Sequence, residues 1–214
     1  MRKVPLVLGV AALALAWLGP LPRLAGHSFA AHMTMHMAVV AVAAPLLALA
    51  IAGTKADPVT TMPQLAAPIP MSMLDLVVVW AWHVPLLHQT ARAETGAFVL
   101  EQGMFLVAGI LLWISAIGGE REPRRLRAGG GIVALLFTSM HMTLLGALFA
   151  LGNRPLFRHT LSAGDASSLT DQQVGGVIML LVGGASYLLG GLWLTSLALR
   201  GGSARPITSR ESMP

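Results

Sequence analysis

Apolar residues in this chain fall in blocks close to the roughly 20 residues a helix needs to cross about 30 Å of hydrocarbon. Short polar or proline-rich stretches separate the blocks. Six blocks are predicted to be membrane spans, at about 4–19, 30–52, 71–90, 96–117, 132–152 and 174–199. The expected fold is all-α: one polytopic transmembrane bundle over residues 1–214, with no segment long or polar enough for a separate soluble domain.

The punctuation adds local detail. The first block follows Arg2-Lys3 and ends at Gly19-Pro20. It reads as a signal peptide, with Ala14-x-Ala16 as a small-residue cleavage pattern, or as a retained first span. Trp17 and the Pro20 to Arg23 elbow favour retention as an interfacial boundary. Pro45 is expected to bend the second span. Pro58, Pro63, Pro68 and Pro70 predict an extended connector over 53–70. Pro85 cannot donate to the carbonyl of Ala81, so the third span should open beside His83. Loops are expected at 118–131 and 153–173, and the glycine-rich last block suits close helix packing.

Composition sharpens this picture. The chain is 55% hydrophobic and only 11% charged, with no cysteine, which excludes disulfides, thiolate metal sites and CxxC redox chemistry. The net charge of +5 would suit a nucleic-acid partner, but the basic residues are scattered through short loops. Of the 14 Lys and Arg, 10 fall at the two termini and in the 53–70 and 118–131 loops. That imbalance predicts six spans with both termini in the cytoplasm, and explains the charge without nucleic acid. Asp57 and Asp75 then lie toward the cytoplasmic side, Asp75 as a capping or snorkelling carboxylate.

Candidate chemistry gathers on the other side. His32-Met-Thr-Met-His36-Met37 places His32, Met33, His36 and Met37 on one helical face as two i, i+4 pairs at the mouth of a span. Imidazole with thioether suits copper, particularly Cu(I), and suits calcium or magnesium poorly. On the predicted topology all seven histidines, 27, 32, 36, 83, 88, 141 and 159, are outward or within the outer half to middle of the membrane. Polar groups there usually face the bundle interior and mark a site. His36, His83 and His141 are deep enough for a first shell, with His32, Met33 and Met37 next.

These residues resemble the CtaG-type (caa3_CtaG) cytochrome c oxidase assembly proteins. The resemblance rests on His32-x3-His36 followed by Ala44-Pro45-Leu46-Leu47, on Trp82-His83-x-Pro85, and on Glu101 early in the fourth span. His141 in the fifth span and Asp171-Gln172-x3-Gly176-x2-Met179 complete it, over about residues 28–185. It implies a multi-span, non-enzymatic protein of the bacterial inner membrane that assists copper delivery to a haem-copper oxidase. Its partners would be oxidase subunits or other copper-delivery proteins, besides the lipid bilayer. The implied motif positions are His32, His36, His83, Glu101, His141, Asp171 and Met179. The chain departs from the family pattern at Gln102, where histidine is frequent, and at Leu180, where tryptophan is.

Two other classes fit parts of the pattern: a b-type haem carrier using two of these histidines, and a copper permease with a Met-rich outer mouth. Enzyme signatures are missing, with neither an HExxH helix nor a GxSxG turn.

Overall fold

A computed structural model describes residues 2–63, 66–119, 121–157 and 165–202. His159 and the tail arginines Arg205 and Arg210 lie outside the described residues. Every regular element among the described residues is helical. The helices are α1 (Lys3–Leu18), α2 (Leu21–Ala25), α3 (Phe29–Ile51), α4 (Pro58–Thr61), α5 (Pro68–Trp82), α6 (Pro85–Ala93), α7 (Thr95–Ile117) and α8 (Arg121–Ala150). The ninth, α9, begins as Asp165–Ile178 and continues through Met179–Gly183 into Gly184–Gly202.

Four of these are long and apolar enough to cross a membrane: α3, α7, the Ala128–Ala150 part of α8, and the Ser167–Leu199 part of α9. A fifth crossing arises if α5 and α6, bent by 71° at their junction, count as one broken span. α1 is apolar but has only 16 residues. The expected six spans therefore reduce to four helices of sufficient length, a bent pair and a short helix.

The bundle is built around α3. Its first half packs on α9, its second half lies between α1 and α7, and α8 touches α5, α7 and α9. Pro45 leaves a mark in this central helix. Lacking an N–H, it frees the carbonyl of Ala41, and the chain winds as a π-helix over Ala38–Ala43. Ser186 of α9 donates its hydroxyl to that carbonyl at 2.7 Å, and Trp113 of α7 donates its indole N–H to Val40 O at 3.3 Å. Neighbouring helices thus satisfy the backbone that proline disturbs, as a water-free interior requires.

Three expected loops differ. The 53–70 connector carries the short helix α4 and is tied down by Asp57, which is fully buried. Its carboxylate accepts from the backbone N–H of Gly53 at 2.7 Å, Val59 at 2.9 Å and Gly119 at 2.8 Å, joining two loops. The 118–131 segment is helical from Arg121, and residues 165–173 of the expected 153–173 loop are already part of α9. Local basic charge and polarity signal the membrane boundary, but a helix can run past it into water. Asp57→Ala removes three charge-assisted bonds and is expected to lower unfolding stability in detergent by about 3 kcal/mol. Lys55→Ala, at an exposed neighbour, should stay within about 0.5 kcal/mol.

Candidate metal centre

Pro85 decides the shape of the third helical segment. His83 ends α5 at φ −93°, ψ 0°, Val84 is extended as the residue before proline, and Pro85 starts α6. On a straight helix His83 and His88, five residues apart, would diverge by about 140°. The 71° bend turns both toward α3.

A file of four buried imidazoles results. His88 meets His32 edge to face with ring centroids 4.8 Å apart. His32 and His83 lie 6.3 Å apart, and His83 meets His36 edge to face at 5.3 Å. His32 and His36 come from successive turns of α3, so the file runs inward along that helix. Phenyl rings wall it: Phe105 lies 4.1 Å from His36, Phe149 stacks on His83 at 5.7 Å, and Phe157 lies 4.5 Å from His88.

At the His88 end the file gains charge. Glu101 of α7 is fully buried and places Oε1 3.7 Å from His32 Nε2. Its Oε2 accepts from Arg92 of α6 and, at 3.2 Å, from Gln102. His32, His88 and Glu101 each offer a ligand atom, all within 4.8 Å of one another. Arg92 also reaches His32, with Nη1 2.8 Å from Nδ1. A guanidinium can only donate, so Nδ1 is the acceptor.

The inner end is different. His83 Nδ1 donates to Val79 O at 2.6 Å, which fixes the tautomer and leaves Nε2 with its lone pair free. His83 Nε2 and both ring nitrogens of His36 are buried without a hydrogen-bond partner. Unpartnered buried nitrogens are expensive, and a cation that prefers imidazole would satisfy them. Copper and zinc are such cations. A porphyrin is not accommodated between His36 and His83, whose rings touch each other and rest on Phe105 and Phe149.

The structure sorts the sequence-derived candidates into groups. His32, His36, His83 and Glu101 come together. Met33 and Met37 face α9 instead, at the positions of Gly175 and Gly183, because a one-residue step turns a helix by about 100°. Met179 is buried in the π-helical stretch of α9. His141 pairs with Asp75, Nε2 to Oδ2 at 3.5 Å, and its ring lies 5.6 Å from that of Phe137. Asp75, expected as a snorkelling or capping carboxylate, is wholly buried in mid-helix because α5 packs that face against α8.

Asp171 is engaged at the N-terminus of α3. It accepts from Ser28 Oγ at 2.7 Å, Phe29 N at 2.5 Å and Ala30 N at 3.3 Å, where Ser28 itself caps Ala31 N. A carboxylate there satisfies orphan N–H groups and complements the helix dipole. Gln172 accepts from Leu156 N at 2.7 Å, and Gln173 donates to Gly152 O at 3.1 Å, so the Asp-Gln-Gln run ties α9 to α3 and to the chain leaving α8. Gln102, where the family pattern often has histidine, accepts from the indole of Trp17 at 3.1 Å and thereby joins α1 to Glu101.

Sequence reasoning left His88 and Arg92 outside the candidate set. The bend at Pro85 was the available signal: it reverses the face on which the residues after it fall.

A family model described as the cytochrome c oxidase caa3 assembly factor (Caa3_CtaG) matches residues 1–200. No curated protein and no solved structure matches the chain.

Proposed function

The chain belongs to the caa3 cytochrome c oxidase assembly factors, and on that premise we propose that it is a non-enzymatic carrier holding a copper ion transiently in the imidazole file. His36 and His83 are the inner ligands, and His32, His88 and Glu101 form an outer trio. The observation that carries this reading is the set of three buried, unpartnered nitrogens on His36 and His83, one of them oriented by Val79 O. Cu(I) accepts two or three such ligands, and few ligands favour release to an oxidase subunit or another copper-delivery protein.

The reading includes a topology. α1 and the bent α5–α6 pair count as spans, which makes six, with both termini in the cytoplasm of a bacterium and the file opening to the outer side of the inner membrane. The Lys and Arg imbalance supports this orientation.

Cu(I) titration of the detergent-purified protein against a competing chelator tests the reading. About one copper per chain is expected, with affinity falling on the order of 100-fold in His36→Ala and in His83→Ala. Cells carrying either variant should accumulate oxidase lacking copper. A protein that takes up no Cu(I), with both variants supporting normal oxidase maturation, would overturn it.

A further inference from the structure

Arg92 stands between the outer trio and the surface. On its inner side it donates to His32 Nδ1 at 2.8 Å and forms an ion pair with Glu101. On its outer side it lines a pocket of about 150 Å³ together with Pro22, Gly26, Glu94, Thr95 and Phe98, where the guanidinium carbon lies 5.2 Å from the centre of the Phe98 ring. Its side chain is 10% exposed, against 0% for both partners.

This arrangement blocks His32 chemically. A neutral imidazole carries one proton. With Nδ1 accepting from Arg92, that proton sits on Nε2, the nitrogen that faces Glu101. Neither nitrogen can then donate a lone pair to a metal: one is engaged and the other is protonated. Oε2 of Glu101 is occupied as well, by Arg92 and Gln102. A metal ion and a guanidinium would also compete for one buried carboxylate, where two like charges repel strongly.

From this we propose that Arg92 is a resident cation that closes the outer trio and exchanges places with the incoming metal ion. On metal binding the guanidinium swings toward the surface pocket, keeping the ring face of Phe98 that it already contacts and gaining the carboxylate of Glu94. The His32 proton then moves to Nδ1, and Nε2 becomes a ligand beside His88 and Glu101. The device makes uptake conditional: the site is neutral and sealed until a cation of higher affinity displaces the arginine. The inference rests on the copper-carrier reading above.

Cu(I) binding to wild type, Arg92→Gln, His32→Ala and the double variant Arg92→Gln/His32→Ala tests it. Arg92→Gln is expected to bind Cu(I) at least tenfold more tightly and to take it up at least tenfold faster than wild type. Both gains should vanish in the His32→Ala background. A second variant, Arg92→Lys, keeps a cation in place should the glutamine variant fail to fold. The introduced amine should resist an amine-modifying reagent in the metal-free protein and become at least fivefold more reactive once Cu(I) is added. Equal affinity and rate in wild type and Arg92→Gln, or reactivity unchanged by copper, would remove the exchange while leaving the site. No uptake by any of the proteins would remove the site and the exchange together.

Discussion

Replacing His141 by leucine is expected to lower unfolding stability by about 3–5 kcal/mol while leaving Cu(I) uptake within about threefold of wild type. Asp75 and His141 face each other 3.5 Å apart in the interior of the bundle, and neither carboxylate oxygen of Asp75 has a hydrogen-bond partner. Tyr187 of α9 is near enough to interact with the Asp75 charge, but its hydroxyl is likewise unpartnered. Removing the imidazole would leave the Asp75 carboxyl group without a partner inside a low-dielectric bundle. Asp75→Leu removes the carboxyl group itself and leaves the imidazole, so it should cost less, about 2 kcal/mol. The double variant Asp75→Leu/His141→Leu should be more stable than His141→Leu alone, because no isolated polar group remains. Thermal unfolding in detergent across this double-mutant cycle reads the coupling, expected at about 1–3 kcal/mol. Strict additivity would contradict the pairing, and a hundredfold loss of copper affinity in His141→Leu would return that ring to the metal centre.

The second large effect is steric. Gly176 of α9 lies against Gly146 and Ala150 of α8, so that a methyl group built on it would run into the backbone N of Ala150 and come within 2.6 Å of Gly146 O. The obstacle is backbone, which cannot rotate aside, so the helices must separate. Gly176→Ala is expected to destabilise the protein by about 3 kcal/mol, and Gly176→Val to prevent recovery of a folded monodisperse species. Gly184 and Gly191, on the same helix, have nothing within 4 Å of the equivalent position. Alanine at either should be neutral, or stabilising by up to about 1 kcal/mol through helix propensity. Size-exclusion profiles and melting temperatures of the three alanine variants compare the effects directly. Because Asp171 and the π-helical turn lie on the same helix, a displaced α9 would also lose its hold on the N-terminus of α3.

Much of this arrangement was legible in the chain. The long apolar blocks correspond to helices because a backbone that meets hydrocarbon must satisfy its own hydrogen bonds. The opening at His83 followed from Pro85, which removes one donor and forces Val84 out of the helical region. His32 and His36 share a face because four residues make just over one turn. The Met33 and Met37 row, adjacent by the same rule, nonetheless lies toward a different neighbour. A helical wheel orders side chains around an axis but does not say which helix stands opposite each row.

The length and spacing of the apolar blocks, the absence of thiols and the break at Pro85 are properties of the linear chain, since each depends on local backbone chemistry or on composition. Which groups meet is a different matter. Arg92 beside His32 and Glu101, His88 beside His32, His141 beside Asp75 and Asp171 beneath α3 join residues 9 to 142 positions apart. Those meetings depend on the 71° bend for His88 and Arg92, on the packing of α5 against α8 for Asp75 and His141, and on the close approach of α9 at Gly175 for Asp171. All are settled by packing the whole bundle at once, so only the tertiary structure could decide them.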